Sequence, residues 1–138
     1  MRQRVNKRSA IMTLIGLVIA IAALVAGPAS ASEVQPFTHA AFAQAQAEGK
    51  TILVTVHADW CAVCKRMKPI EDALLKDPKH AGVVAFVVDY DRQPDALKLL
   101  RVGSQATQIA FKGAREVGRH SFVTDRAQME ALLLQASS

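Results

Sequence analysis

An α/β fold with a mixed central sheet and helices on both of its faces is predicted by three features of this sequence. Two short runs, 51–57 (TILVTVH) and 82–89 (GVVAFVVD), are β-branched and almost wholly apolar, the pattern of strands buried on both faces. They alternate with longer stretches of helical character. Two further strand-like segments then follow one another across the turn Lys112-Gly113-Ala114. Alternation that ends in a hairpin implies a mixed sheet rather than an all-parallel one.

The elements follow in order. Residues 32–36 read as a linker. Thr38 can cap a first helix over 39–48, rich in Ala and Gln and ended by Gly49. After the strand at 51–57, Ala58-Asp59-Trp60 turns the chain into a helix over 61–76, with a kink expected at Pro69 and a stop at Asp77-Pro78. The strand at 82–89 leads to Pro94, placed for the first turn of a short helix over 95–100. Strands are expected over 105–111 and 115–120. Thr124 or Asp125 then caps a last helix running to residue 135, whose Met129, Leu132 and Leu133 fall on one face.

The N-terminal 31 residues read as a targeting segment. Arg2, Arg4, Lys7 and Arg8 form a basic start, residues 10–26 are apolar except for Thr13 and Gly16, and Gly27-Pro28 precedes Ala29-Ser30-Ala31. That is the layout of a secretory signal, with cleavage expected before Ser32. The alternative is an uncleaved anchor, because the apolar run falls between a signal core and the roughly 20 residues that span a bilayer. Either reading places the remaining domain, 32–138, outside the cytoplasm: periplasmic or otherwise exported, with membrane contact only if residues 10–26 are retained. The formal charge of +5 is largely a property of the leader, which carries four of the 17 basic residues and none of the 12 acidic ones. The rest is close to neutral, so charge gives no case for nucleic acid as a partner.

Both cysteines of the chain, Cys61 and Cys64, lie in the domain, two residues apart. A bridge closing so short a loop restrains the unfolded chain by only about 2 kcal/mol, against about 3 for fifteen residues. The spacing therefore favours chemistry over stapling. At a helix start, Cys61 meets unpaired backbone N–H groups and the positive end of the helix dipole, and both stabilise a thiolate. Lys65, Arg66 and Lys68 add positive potential. The thiol pKa of Cys61 is expected below the free value of about 8.5. Cys64, one turn on, is in reach of a disulfide. Cys61 is then the attacking nucleophile and Cys64 the thiol that resolves the mixed disulfide.

The stretch Ala58-Asp59-Trp60-Cys61-Ala62-Val63-Cys64-Lys65, following an apolar strand and followed by Pro69, resembles the thioredoxin superfamily over residues 37–135. Its ADWCxxCK run is most similar to the C-terminal periplasmic domain of the disulfide reductase DsbD. The resemblance implies a thioredoxin-like fold and an exported thiol–disulfide oxidoreductase of the protein-disulfide reductase type. Its substrates would be the disulfides or thiols of other proteins, electrons would be exchanged with a redox partner protein, and no cofactor is implied. Trp60 would shield the cysteines and offer a flat contact surface.

Three positions depart from the family pattern. Its cis-proline falls at Ala106, where a trans bond is expected because a non-proline cis bond costs roughly 2.5–4 kcal/mol. Its buried aspartate falls at Thr55, which cannot act as a base at neutral pH. The aromatic residue that follows falls at His57, on the same strand face as Thr55, either filling that space or taking over proton transfer. These departures leave open an alternative: a metal- or cluster-binding module that uses Cys61, Cys64 and His57, with little exchange activity. Asp89, Asp91 and Asp95 lack the pattern of a calcium loop and read as a strand end and a helix cap. His39, His80 and His120 are expected to face solvent.

Overall fold

The computed structural model describes residues 32–138; the targeting segment read in residues 1–31 lies outside them. The elements are β1 (Glu33–Pro36), α1 (His39–Ala47), β2 (Thr51–His57), α2 (Ala62–Lys76), a 3-10 turn (Pro78–His80), β3 (Val84–Asp89), α3 (Pro94–Leu100), β4 (Thr107–Lys112), β5 (Arg115–Ser121) and α4 (Arg126–Ser137). Among the described residues no helix is long and apolar enough to cross a membrane.

The five strands form one sheet in the order β1-β3-β2-β4-β5. β3 lies parallel to both β1 and β2, while β4 is antiparallel to β2 and to β5. This is the mixed α/β sheet that the alternation and the terminal hairpin predict. Side-chain parity then divides the interior. Ile52, Val54 and Val56 of β2 point to one face and pack with Phe37, Phe42, Phe86 and Phe111 under α1 and α3. Leu53 points to the other, where Met67 and Leu74 of α2 meet Leu132 and Leu133 of α4. Thr55 and His57 share the Leu53 face and lie towards its cysteine end.

Local chemistry explains most boundaries. The Thr38 hydroxyl accepts from the Ala41 N–H at 3.1 Å and starts α1. Asp125, the second of the two expected caps, accepts from the Gln128 N–H at 2.9 Å and starts α4. α2 continues through Pro69, whose missing N–H leaves the Lys65 carbonyl without its helical donor. Gly113 turns β4 into β5 at φ 56°, and a Cβ there would stand 3.3 Å from the Gln46 carbonyl oxygen and from the Gly49 Cα. No bulkier residue fits that turn without displacing backbone.

Two expectations are corrected. Residues 33–36 are not a linker but an edge strand, with Glu33 opposite Val84 and Pro36 opposite Val87. Its side chains carry no alternating pattern, because backbone pairing to β3 holds it rather than burial; Val34 is exposed. Among the histidines, His39 faces solvent as expected, but His80 is buried on the 3-10 turn, with its Nε2 3.7 Å from Glu130. His120 is half-buried on β5, where it bonds to Gln108.

Candidate active site

The end of β2 delivers the chain into the N-terminus of α2, and Cys61 occupies the cap position there, in extended conformation. Its Sγ accepts the Cys64 backbone N–H at 3.1 Å. The capping role usually filled by a serine or aspartate oxygen falls here to sulfur. The two cysteines are joined as a disulfide, with Cα atoms 5.2 Å apart. Both are buried, at 3 % and 4 % exposure. Trp60, beside them, is 60 % exposed. Its indole N–H donates to Asp91 at 2.9 Å and its ring meets the edge of Tyr90.

Positive charge near the pair is uneven. Lys65 and Arg66 are exposed one turn from the cap, whereas Lys68 is engaged with the Asp72 carboxylate at 2.9 and 3.0 Å. The expected contribution of Lys68 is therefore largely cancelled within its own helix.

Behind Cys64 lies a cavity of about 140 Å³, mostly apolar, whose walls include Thr55, His57, Cys64, Met67, Glu71 and Ala106. Thr55 and His57 thus face the resolving cysteine, as strand parity requires. His57 lies on the half-exposed rim with its Nε2 3.5 Å from Asp59. Ala106 is fully buried, and there are no cis peptide bonds among the described residues, in keeping with the expected trans link. Its backbone instead takes a left-handed conformation at φ 56°, which costs a non-glycine residue roughly 1–2 kcal/mol. What holds it there is a pair of hydrogen bonds: its N–H donates to the Val56 carbonyl and its own carbonyl accepts from the Phe122 N–H, each at 2.8 Å. A proline at this position could not make the first of these.

The residue that sequence reading passed over is Glu71. It lies on the same stripe of α2 as Cys64, Met67 and Leu74, and it is buried at 6 % exposure. The Thr55 hydroxyl donates to its Oε2 at 2.6 Å and the Gln108 amide donates to the same oxygen at 2.5 Å. Gln108 is itself buried and is held by His120 Nε2, 2.8 Å from its Oε1. Burial raises the Glu71 carboxyl above its ordinary 4.5, against the opposing pull of the two donors. The signal was present in the sequence: helical spacing from Cys64 and Met67 puts a glutamate where an apolar residue is the rule. The acids at 89–95 are structural in part, since the Asp89 carboxylate accepts the backbone N–H groups of Asp91 and Arg92. Asp91, however, anchors Trp60, a contact the sequence did not suggest.

Among the described residues, with the two cysteines joined, no three His, Cys, Asp or Glu side chains come together as a metal-holding group. What the site is built for is exchange between a dithiol and a disulfide: two sulfurs one turn apart, the first on helix-tip amides. The sequence profile of the family described as Thioredoxin matches residues 33–135, and the chain belongs to the thioredoxin family of thiol–disulfide oxidoreductases. Thioredoxin of Chlamydia trachomatis is 31 % identical over 100 residues, 72 % of this chain and 95 % of that protein. Thioredoxin of Alicyclobacillus acidocaldarius is 32 % identical over 97 residues, 70 % of this chain and 90 % of that one. Among solved structures, Trxlp from Edwardsiella tarda superposes with a TM-score of 0.72 at 39 % identity, covering 73 % of this chain and 98 % of that one.

Proposed function

We propose that this protein is an exported reductant of protein disulfides, in which Cys61 attacks the client and Cys64 resolves the mixed disulfide. One observation carries the reading: Cys61 Sγ caps α2 and accepts the Cys64 N–H at 3.1 Å, a contact that stabilises sulfur as an anion more than as a thiol. The reducing direction is supported by the resemblance of ADWCxxCK to the reductant-carrying domain of DsbD, and export by the basic, apolar and small-residue pattern of residues 1–31. Exposed Trp60 supplies a flat apolar contact for the client, and a partner dithiol restores the reduced state.

The test is alkylation of the reduced protein as a function of pH, followed by titration against glutathione. Cys61 is expected to react first, with a pKa below about 8.5. The Cys61–Cys64 couple is expected nearer the roughly −270 mV of strongly reducing dithiols than the roughly −120 mV of strong oxidants. Faster alkylation of Cys64 would overturn the order of attack, and a strongly oxidising potential would reverse the direction. Mass spectrometry of the protein recovered from its native host tests export: a chain starting at Ser32 marks a cleaved signal, and an intact chain in the membrane fraction marks an anchor.

A further inference from the structure

We propose that Glu71 takes up the proton of Cys64, through water held in the cavity that both residues line, and so frees the Cys64 thiolate to resolve the mixed disulfide. The inference rests on the order of attack proposed above. It assigns a role to a group that the proposed function does not use, on the buried stripe of α2.

The geometry makes the case. Cys64 and Glu71 stand seven residues apart on one stripe of α2, two turns and about 10 Å along the axis, so direct transfer is excluded. The cavity between them, about 140 Å³, is large enough for several waters, each of which needs roughly 10–15 Å³ of such space. Glu71 Oε2 is taken by Thr55 and Gln108. Oε1 has no protein partner among the described residues and is not among their sealed, unpartnered polar atoms, so it is the oxygen free to meet water. Thr55 and Gln108 account for one carboxylate oxygen, and the other is left facing the cavity that reaches Cys64. Burial raises the affinity of Glu71 for a proton, which makes it a better acceptor than an exposed carboxylate.

The charged and titratable groups around Glu71 are few. Lys68 and Asp72 flank it on α2 and are paired with each other. His57 faces the same cavity from β2. His120 reaches it from β5 only through the Gln108 amide. Among the described residues, His57 is therefore the competing acceptor that lines the cavity.

The steps balance. The Cys61 thiolate attacks a client disulfide, a Cys61–client bond forms, and one client thiolate leaves to take a proton from solvent. Cys64–SH gives its proton through water to the Glu71 carboxylate. The Cys64 thiolate then attacks Cys61 Sγ, the Cys61–Cys64 bond forms, and the second client thiolate leaves. It takes a proton from solvent, to which Glu71 later returns its own. Two electrons pass from the dithiol to the client.

The experiment separates the two chemical steps. The reduced protein is mixed with an aromatic disulfide whose released thiolate absorbs visible light, so that attack by Cys61 and resolution by Cys64 each release one chromophore. In Glu71→Gln, which keeps shape and hydrogen bonds, resolution is expected to slow by at least about tenfold near neutral pH and its profile to move towards that of a free thiol. The attack step is expected to keep its rate and profile. Resolution at the wild-type rate with an unchanged profile overturns the proposal. So does a profile that moves in His57→Ala and not in Glu71→Gln. A first adduct found on Cys64 overturns the order of attack instead. A second measurement needs no variant: the Glu71 side-chain carbon is followed by NMR against pH in both redox states. Its titration is expected to change when Cys64 becomes a thiol, and identical curves overturn the coupling.

Discussion

The two faces of the sheet are built to opposite rules. Under α1 and α3 the interior is dominated by aromatic and aliphatic side chains, with Phe42 in contact with Phe37, Phe86 and Phe111 at ring-centroid distances of 5.3, 6.0 and 5.2 Å. Under α2 the same strands present Thr55 and Gln108 to a buried Glu71, beside a cavity and two cysteines. One strand, β2, serves both, because alternate residues face opposite ways. Aromatic packing is thus concentrated on one side, and the buried carboxylate lies on the other, beside the cysteines.

The contrast is open to test, beginning with the largest effect. Cys61→Ser should abolish disulfide exchange, measured with a protein disulfide substrate, and should leave the fold intact, because serine is itself a preferred helix cap. Its stability should fall by no more than about 2 kcal/mol, the contribution of so short a loop. Unfolding of this variant would mean that the active face is also a structural one. Phe42→Ala should do the reverse: a loss of about 3–5 kcal/mol in urea unfolding, with the molecules that remain folded exchanging disulfides at the wild-type rate. A smaller effect is expected from Glu71→Gln on stability. The Glu71 carboxyl holds its proton more tightly in the folded chain than at its ordinary 4.5. The unfolded chain therefore gives up that proton first as pH rises, and the wild type loses stability from about that value up to the raised folded value. The glutamine variant lacks this loss, so the difference between their urea midpoints should grow with pH across that window, in favour of the variant. A difference that does not change with pH would show that Glu71 is not held more protonated by its burial.

Much of this arrangement was legible in the sequence, for identifiable reasons. The strands at Thr51–His57 and Val84–Asp89 announced themselves because both faces are covered. The helix after the cysteines was legible because it must begin where the strand lets go. β1 was not legible, since a four-residue edge strand held by backbone pairing leaves no side-chain period to read. His80 was missed because a polar Pro-Lys-His turn looks like surface, and only the packing of the turn carries the ring inside. Glu71 was missed for a different reason. The family pattern points to position 55 for the acid, while this chain carries a carboxylate on the facing helix, 2.6 Å from the Thr55 hydroxyl.

The direction of β1 settles where the domain can be held. Its first residue, Glu33, lies level with Ile52 at the beginning of β2, whereas the disulfide follows that strand's far end at His57. Five strand residues, about 17 Å, separate the two levels. Whatever precedes Glu33 therefore joins the protein at the pole remote from its sulfurs. The point of attachment thus leaves the disulfide's end of the sheet open.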